Sequence, residues 1–191
     1  MTSNNGFDHL QCRPASVQES LEATKEQRVQ PENWLSLATV FTAALLHADI
    51  GHIVSNLFFL WIFAGLVNEL LGWRWMLTIF VFTAICGSIG DIILRSGSPI
   101  PALGASGAVM GLEGAYLGLA VRYSLPNPSI WPLAYPVPPF NLAVVAVVGF
   151  FFDISGVFGP ETGTAYGAHL GGFIAGLVLT SLITPAPRIS R

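Results

Sequence analysis

Beyond residues 1–33, which are polar, the chain is a succession of long apolar runs broken by short polar clusters. A helix needs about 20 mostly apolar residues to cross the hydrocarbon core of a bilayer. Five runs come close to that length: residues 52–71, 74–94, 104–121, 140–157 and 165–183. The pattern predicts an all-α fold, a polytopic transmembrane helix bundle of about five spans. Residues 34–47, WLSLATVFTAALLH, are apolar but too short to cross, and are expected to lie in the outer interface or to cover the bundle.

The connections support this division. A tight turn at residues 72–74 joins the first two spans, and RSGSPIPALG, rich in turn residues, joins the next pair. The prolines of RYSLPNPSIWPLAYPVPP preclude a helix, and its Trp131 and Tyr135 suit a membrane interface. DISGVFGPETGTAYG is polar and glycine-rich, as expected of a mobile surface loop.

Composition agrees: 52% of the 191 residues are hydrophobic and 10% are charged, against about 25% charged in average soluble domains. A net charge of -3 leaves no basic stripe, so nucleic acid is not an expected partner. Two cysteines, Cys12 and Cys86, give no disulfide framework and no metal site, and neither metal nor cofactor is expected. Residues 1–33 lack the basic start and short apolar core of a signal peptide. The chain therefore divides into a polar, poorly ordered segment (1–33), a membrane domain (34–184) and a short cytoplasmic tail (185–191). Arg74, Arg122, Arg188 and Arg191 fall on one side of the bundle and only Arg95 on the other, which makes the first side cytoplasmic.

With that topology the first, third and fifth spans all enter from the outer face. Each carries polar residues near its start: His52 and Asn56, four apart on one helix face; Ser106; and His169. At about 1.5 Å rise per residue these groups share one depth below the outer surface. Gly107, Gly111, Gly114 and Gly118 form a stripe without side chains on the third span, and Gly172 and Gly176 form a GxxxG pair on the fifth. Helices packed along such stripes approach closely, which would bring Ser106 near His169. A histidine within hydrogen-bond reach turns a serine hydroxyl into a nucleophile. Asn56, His52 and the free amides at a helix start are then placed to meet an oxyanion.

Each residue also has a plain structural use. Ser106 alone reads as a helix cap, the glycines as packing and Asn56 as interhelical glue. Together, at the outer ends of alternate spans, they favour a reaction site. His47 is as suited to packing or capping as to chemistry. Asp49 and Asp153 lie at the outer interface, where either is placed to orient a histidine, though the spacing requires neither. Asp91 and Arg95, four apart, form an ion pair. Glu113 lies seven residues past Ser106, on the same face and about 10 Å deeper, and a role in a structural network is expected for it rather than direct catalysis.

HADIGHIVSNLFFLW, GASGAVMG and GAHLGGFIAG together resemble the rhomboid intramembrane serine proteases, over residues 34–183. The resemblance implies a Ser–His dyad without a catalytic acid, with Ser106 as nucleophile and His169 as base. It implies an oxyanion hole from His52, Asn56 and the Ser106 amide, and substrates that are single-span membrane proteins within the lipid bilayer. It further implies lateral substrate entry between the first and fourth spans here, capped by the loop 153–166, with Phe150, Phe151 and Phe152 as gate candidates. The family core has six spans. The usual first one has no counterpart here, so a shortened start or a five-span variant is expected. Met110 stands where the family often has an aromatic that packs on the histidine, and Asn68, with Glu69 beside it, where it often has a glutamate. A multi-pass protein of a prokaryotic plasma membrane, its site opening outward, is the expectation. The alternatives are a non-catalytic rhomboid-like protein that binds membrane helices, or a transporter or channel fragment, whose midplane site and coupling carboxylates only Glu113 would fit.

Overall fold

The structure, a computed structural model, describes residues 42, 46, 47, 49–94, 104–135, 137–160 and 163–188. Residues 1–33, nearly all of 34–47, Arg95 and Arg191 lie outside them, and with them the expectations for the polar head, the interfacial segment and the Asp91–Arg95 pair.

Five helices follow one another among the described residues: α1 (Ile50–Leu71), α2 (Trp73–Leu94), α3 (Ser106–Arg122), α4 (Pro139–Val157) and α5 (Tyr166–Leu182). They match the five apolar runs within one or two residues at each end. By length and composition α1, α2 and α4 are able to cross a membrane. The helices α3 and α5 have 17 residues each, about 26 Å of helix against a hydrocarbon core of about 30 Å. Shortness costs α3 little, because it is the central element: nearly every residue from Gly107 to Leu119 is buried against its neighbours.

Local chemistry sets the ends. Asp49 caps α1, its carboxylate accepting from the His52 N–H at 2.9 Å. Gly72 ends α1 at φ +88°, a conformation that favours glycine, and α2 starts at the next residue. The Arg188 guanidinium occupies the space beside Gly72, and the Arg188 N–H donates to the Leu70 carbonyl at 2.7 Å. Pro138 and Pro139 open α4, where a missing N–H costs nothing. Glu69 accepts hydrogen bonds from the Ser129 N–H and hydroxyl, tying the 123–138 connection to α1.

The apolar core lies in the half of the bundle away from the starts of α1, α3 and α5. There Phe63, Leu66, Val67 and Leu70 of α1 meet Ile79 of α2 and Leu112, Tyr116 and Leu119 of α3. The helix α5 is wedged between α2 and α3 on two glycine faces. On one face an added Cβ at Gly172 would strike the Gly107 carbonyl and one at Gly176 the Gly111 carbonyl. On the other, a Cβ at Gly171 would come within 2.7 Å of the Cys86 carbonyl, and one at Gly90 within 2.6 Å of the Gly167 carbonyl. The glycine stripes thus pack α3 on α5 as their spacing predicts. The second face, against Gly87 and Gly90 of α2, is an addition the structure makes.

The helix α4 is held least: only Leu142, Ala146 and Asp153 of it are buried. Phe140, Val144, Phe151 and Phe152 stay exposed, as do Phe58 and Trp61 on α1 and Ile89, Ile92 and Ile93 on α2. Apolar side chains pointing outward over so many turns suit a lipid surround.

Candidate active site

Away from the core, residues near the starts of α1, α3 and α5 and residues of α4 line a cavity of about 820 Å³. Its lining includes Ser106, His169, His52 and Asn56, so the four polar residues singled out in the sequence face one cavity.

Ser106 is the first residue of α3, and the cap position belongs to Ala105, which has no side chain able to cap. The hydroxyl of Ser106 is therefore not the helix cap that its position alone suggests. Because α3 begins here, the first amides of the helix lack partners within it; the first bond back to the cap runs from Val109 to the Ala105 carbonyl at 2.9 Å.

Gly104 shapes the turn into Ser106. Its φ of +109° is one that side-chain-bearing residues rarely adopt, and an added Cβ would lie 2.7 Å from Cε1 of His52 and 3.4 Å from Nδ2 of Asn56. The absence of a side chain at Gly104 lets the His52 ring and the Asn56 amide rest directly against the backbone leading to the serine. Asn56 is buried, and among the described residues its Nδ2 has no hydrogen-bond partner. A buried amide donor left unpaired costs about 1–3 kcal/mol, so such an atom marks either a defect or a place kept for a ligand. The His52 ring also meets His47, edge to face, at 5.2 Å between centroids.

His169 stands in the first turn of α5, its side chain 15% exposed. Its Nδ1 hydrogen-bonds to Oδ1 of Asp153 on α4 at 2.9 Å. With the carboxylate as acceptor, Nδ1 is the donor, and in the neutral imidazole this leaves the lone pair on Nε2. Tyr166, one turn earlier on α5, meets the imidazole edge to face at 6.2 Å between centroids. The aromatic contact expected from position 110 is thus supplied by Tyr166, and Met110 lines the cavity instead.

Asp153 and Tyr166 are the site residues that sequence reasoning left unassigned. Asp153 was visible as a carboxylate near the outer end of its span, but 16 residues and a loop separate it from His169, so nothing local pairs them. Asp49, the other candidate, holds the α1 backbone at His52 rather than an imidazole. Of the gate candidates, Phe150 stacks on Phe173 of α5 at 4.7 Å, Phe151 faces outward, and Phe152, though 72% exposed, lines the cavity. Glu113 is 3% exposed and also lines it, two turns below Ser106. The described residues contain no cluster of metal-ligating side chains.

Comparison with known proteins finds matches over most of the chain. The family model described as "Rhomboid domain" matches residues 35–186. The rhomboid protease GluP of Bacillus subtilis is 30% identical over 142 residues, 73% of this chain and 25% of the relative. Rhomboid protein 1, mitochondrial, of Saccharomyces cerevisiae is 26% identical over 171 residues, 87% of this chain and 48% of the relative. Rhomboid-like protein 11, chloroplastic, of Arabidopsis thaliana is 30% identical over 153 residues, 78% of this chain and 53% of the relative. The chain thus spans about half or less of the length of these relatives.

Proposed function

The chain belongs to the rhomboid family of integral membrane proteins, and from that premise we propose that it is a serine endopeptidase that cuts membrane-spanning substrates near the outer face of the bilayer. Ser106 is the nucleophile and His169 the base. His52, Asn56 and the first amides of α3 form the oxyanion hole. The substrates are single-span membrane proteins, and the setting is a prokaryotic plasma membrane.

The observation that carries this reading is the Nδ2 of Asn56, unpaired among the described residues and buried against Gly104 at the turn that presents Ser106. A donor with no partner beside a nucleophile is what a developing negative charge requires, since preorganised donors stabilise it without reorganising. In the proposed reaction Ser106 Oγ attacks the scissile carbonyl carbon while its proton passes to Nε2 of His169. The carbonyl oxygen becomes the oxyanion and receives the Asn56 amide. Collapse breaks the C–N bond as His169 returns the proton to the leaving amine. Water then enters and loses a proton to His169 as it attacks the acyl carbon; the Oγ–C bond breaks, His169 returns the proton to Ser106 Oγ, and the acid is released. Asp153 holds the imidazole in the tautomer these transfers need; it acts through the ring and touches no reacting atom.

Cleavage of a transmembrane reporter by purified chain tests the reading. Ser106→Ala and His169→Ala are each expected to abolish it, and cleavage retained in Ser106→Ala would show that another group does the chemistry.

A further inference from the structure

Three pairs of residues meet across α4 and α5, in the same order along both helices. Phe150 stacks on Phe173 with ring centroids 4.7 Å apart. One turn on along α4, Asp153 meets Nδ1 of His169 at 2.9 Å. One turn further, the ring of Tyr166 lies over Gly156, where an added Cβ would come within 2.4 Å of its Cε1 and Cζ. Residues three or four apart share one side of a helix. Phe150, Asp153 and Gly156 therefore form one row on α4, and Phe173, His169 and Tyr166 form the facing row on α5. The polar pair sits between two aromatic ones.

Among the described residues, the outer half of α4 buries only Asp153; Leu142 and Ala146 are buried in its other half. One hydrogen bond fixes a distance and leaves α4 free to turn about it, whereas three pairs in a row fix the register as well. Gly156 admits the Tyr166 ring because it has no side chain, and a Cβ there would drive the ring from its seat. Tyr166 also packs edge to face on the imidazole, at 6.2 Å between centroids, so one ring contacts both α4 and the base. Phe150, Gly156, Tyr166 and Phe173 stand outside the cavity lining, while Asp153 and His169 belong to it. The four therefore reach the cavity only through Asp153 and His169.

We propose that this seam between α4 and α5 positions the base. The Tyr166 ring seated on Gly156 and Phe150 stacked on Phe173 hold Asp153 at hydrogen-bond distance from His169, and with it the angle of the imidazole. Tyr166 is a positioning residue and Gly156 is its seat. The proposal rests on the protease reading above and names the residues that set its geometry. A reacting group is only as well placed as the side chains that lock it, and a displacement of about 1 Å costs about a hundredfold in rate.

The test follows fluorophosphonate labelling of Ser106 and reporter kinetics in the purified chain. Tyr166→Ala is expected to slow labelling and lower kcat by about ten- to hundredfold, with KM for the reporter little changed. Tyr166→Phe, which keeps the ring, should recover most of the loss. Gly156→Ala should cause a similar loss by unseating the ring, and should cause none when Tyr166 is already replaced by alanine. Asp153→Asn should cost at least about tenfold less in the Tyr166→Ala chain than in wild type, because both changes act on one imidazole. Where Tyr166→Ala does not fold, Tyr166→Val takes its place in both cycles. Labelling of Tyr166→Ala at the wild-type rate overturns the proposal. So does a Tyr166→Phe chain as slow as Tyr166→Ala, or losses that simply multiply in the double variants. A wild-type chain that neither takes the probe nor cuts the reporter overturns the protease reading, and this one with it. A wild-type chain that does both, with Tyr166 and Gly156 replaceable at no cost, overturns this one alone.

Discussion

Asp153, on the loosely held α4, hydrogen-bonds Nδ1 of His169 on α5 at 2.9 Å. The bond joins the element with the fewest buried residues to the base of the proposed reaction, and it makes a third member of what the motifs alone present as a pair. An orienting carboxylate fixes which imidazole nitrogen is free to take a proton, and in the serine-protease triad its loss costs about 10⁴-fold in rate. Here Asp153→Asn is expected to slow acylation of Ser106 by a fluorophosphonate probe by roughly 10²- to 10⁴-fold, with Asp153→Glu recovering part of the loss. An unchanged labelling rate in Asp153→Asn would reduce the bond to a packing contact.

Asn56 offers the opposite case, a residue whose loss should harm turnover without harming the fold. Its Nδ2 has no partner among the described residues, so replacing it with an apolar side chain of similar shape removes an unsatisfied donor. Asn56→Leu is expected to melt at the same temperature as wild type or higher, while kcat falls by about 10²- to 10³-fold, the usual cost of one oxyanion donor. Thermal unfolding in detergent and reporter kinetics check the two halves. A lowered melting temperature would show that Asn56 is interhelical glue.

The turn at Gly104 is predicted to couple backbone conformation to the same site. Gly104→Ala forces a Cβ into the His52 ring at a φ of +109°, a strain of about 1–3 kcal/mol. It is expected to lose both stability and activity, where Asn56→Leu loses activity alone.

Packing of α5 supplies a purely structural prediction. Gly172 leaves no room for a Cβ against the Gly107 carbonyl, whereas one at Gly159 meets its nearest atom at 3.4 Å. Gly172→Ala should destabilise by about 1–3 kcal/mol through over-packing and Gly159→Ala should leave the unfolding curve unchanged. Equal effects would contradict the close backbone approach of α3 and α5.

Most of the fold was legible because its elements are long, apolar and separated by proline- and glycine-rich connections. Lipid-facing helices such as α1 and α4 announce themselves by continuous hydrophobicity. The glycines at 107, 111, 172 and 176 announced their partner because only small residues permit backbones to touch. The second packing face of α5, through Gly167 and Gly171, was hidden in the same GAHLGG run, where the motif reading attends to one face only. At the site, Ser106, His169, His52 and Asn56 were legible from their common depth. The Asp153–His169 bond was not, since it depends on how α5 returns beside α4 after the connection 158–165. Tyr166 was masked by its place beside the histidine motif, and Met110 drew attention to a contact made by another residue.

The central claim is that Ser106 is a nucleophile activated by His169. Its most direct measurement is labelling of the purified chain by a fluorophosphonate probe, followed by mass spectrometry of the modified peptide. The account predicts a stable adduct on Ser106 in wild type, none in Ser106→Ala, and labelling slowed to near background in His169→Ala. An adduct on another residue, or labelling of Ser106→Ala at the wild-type rate, would contradict it.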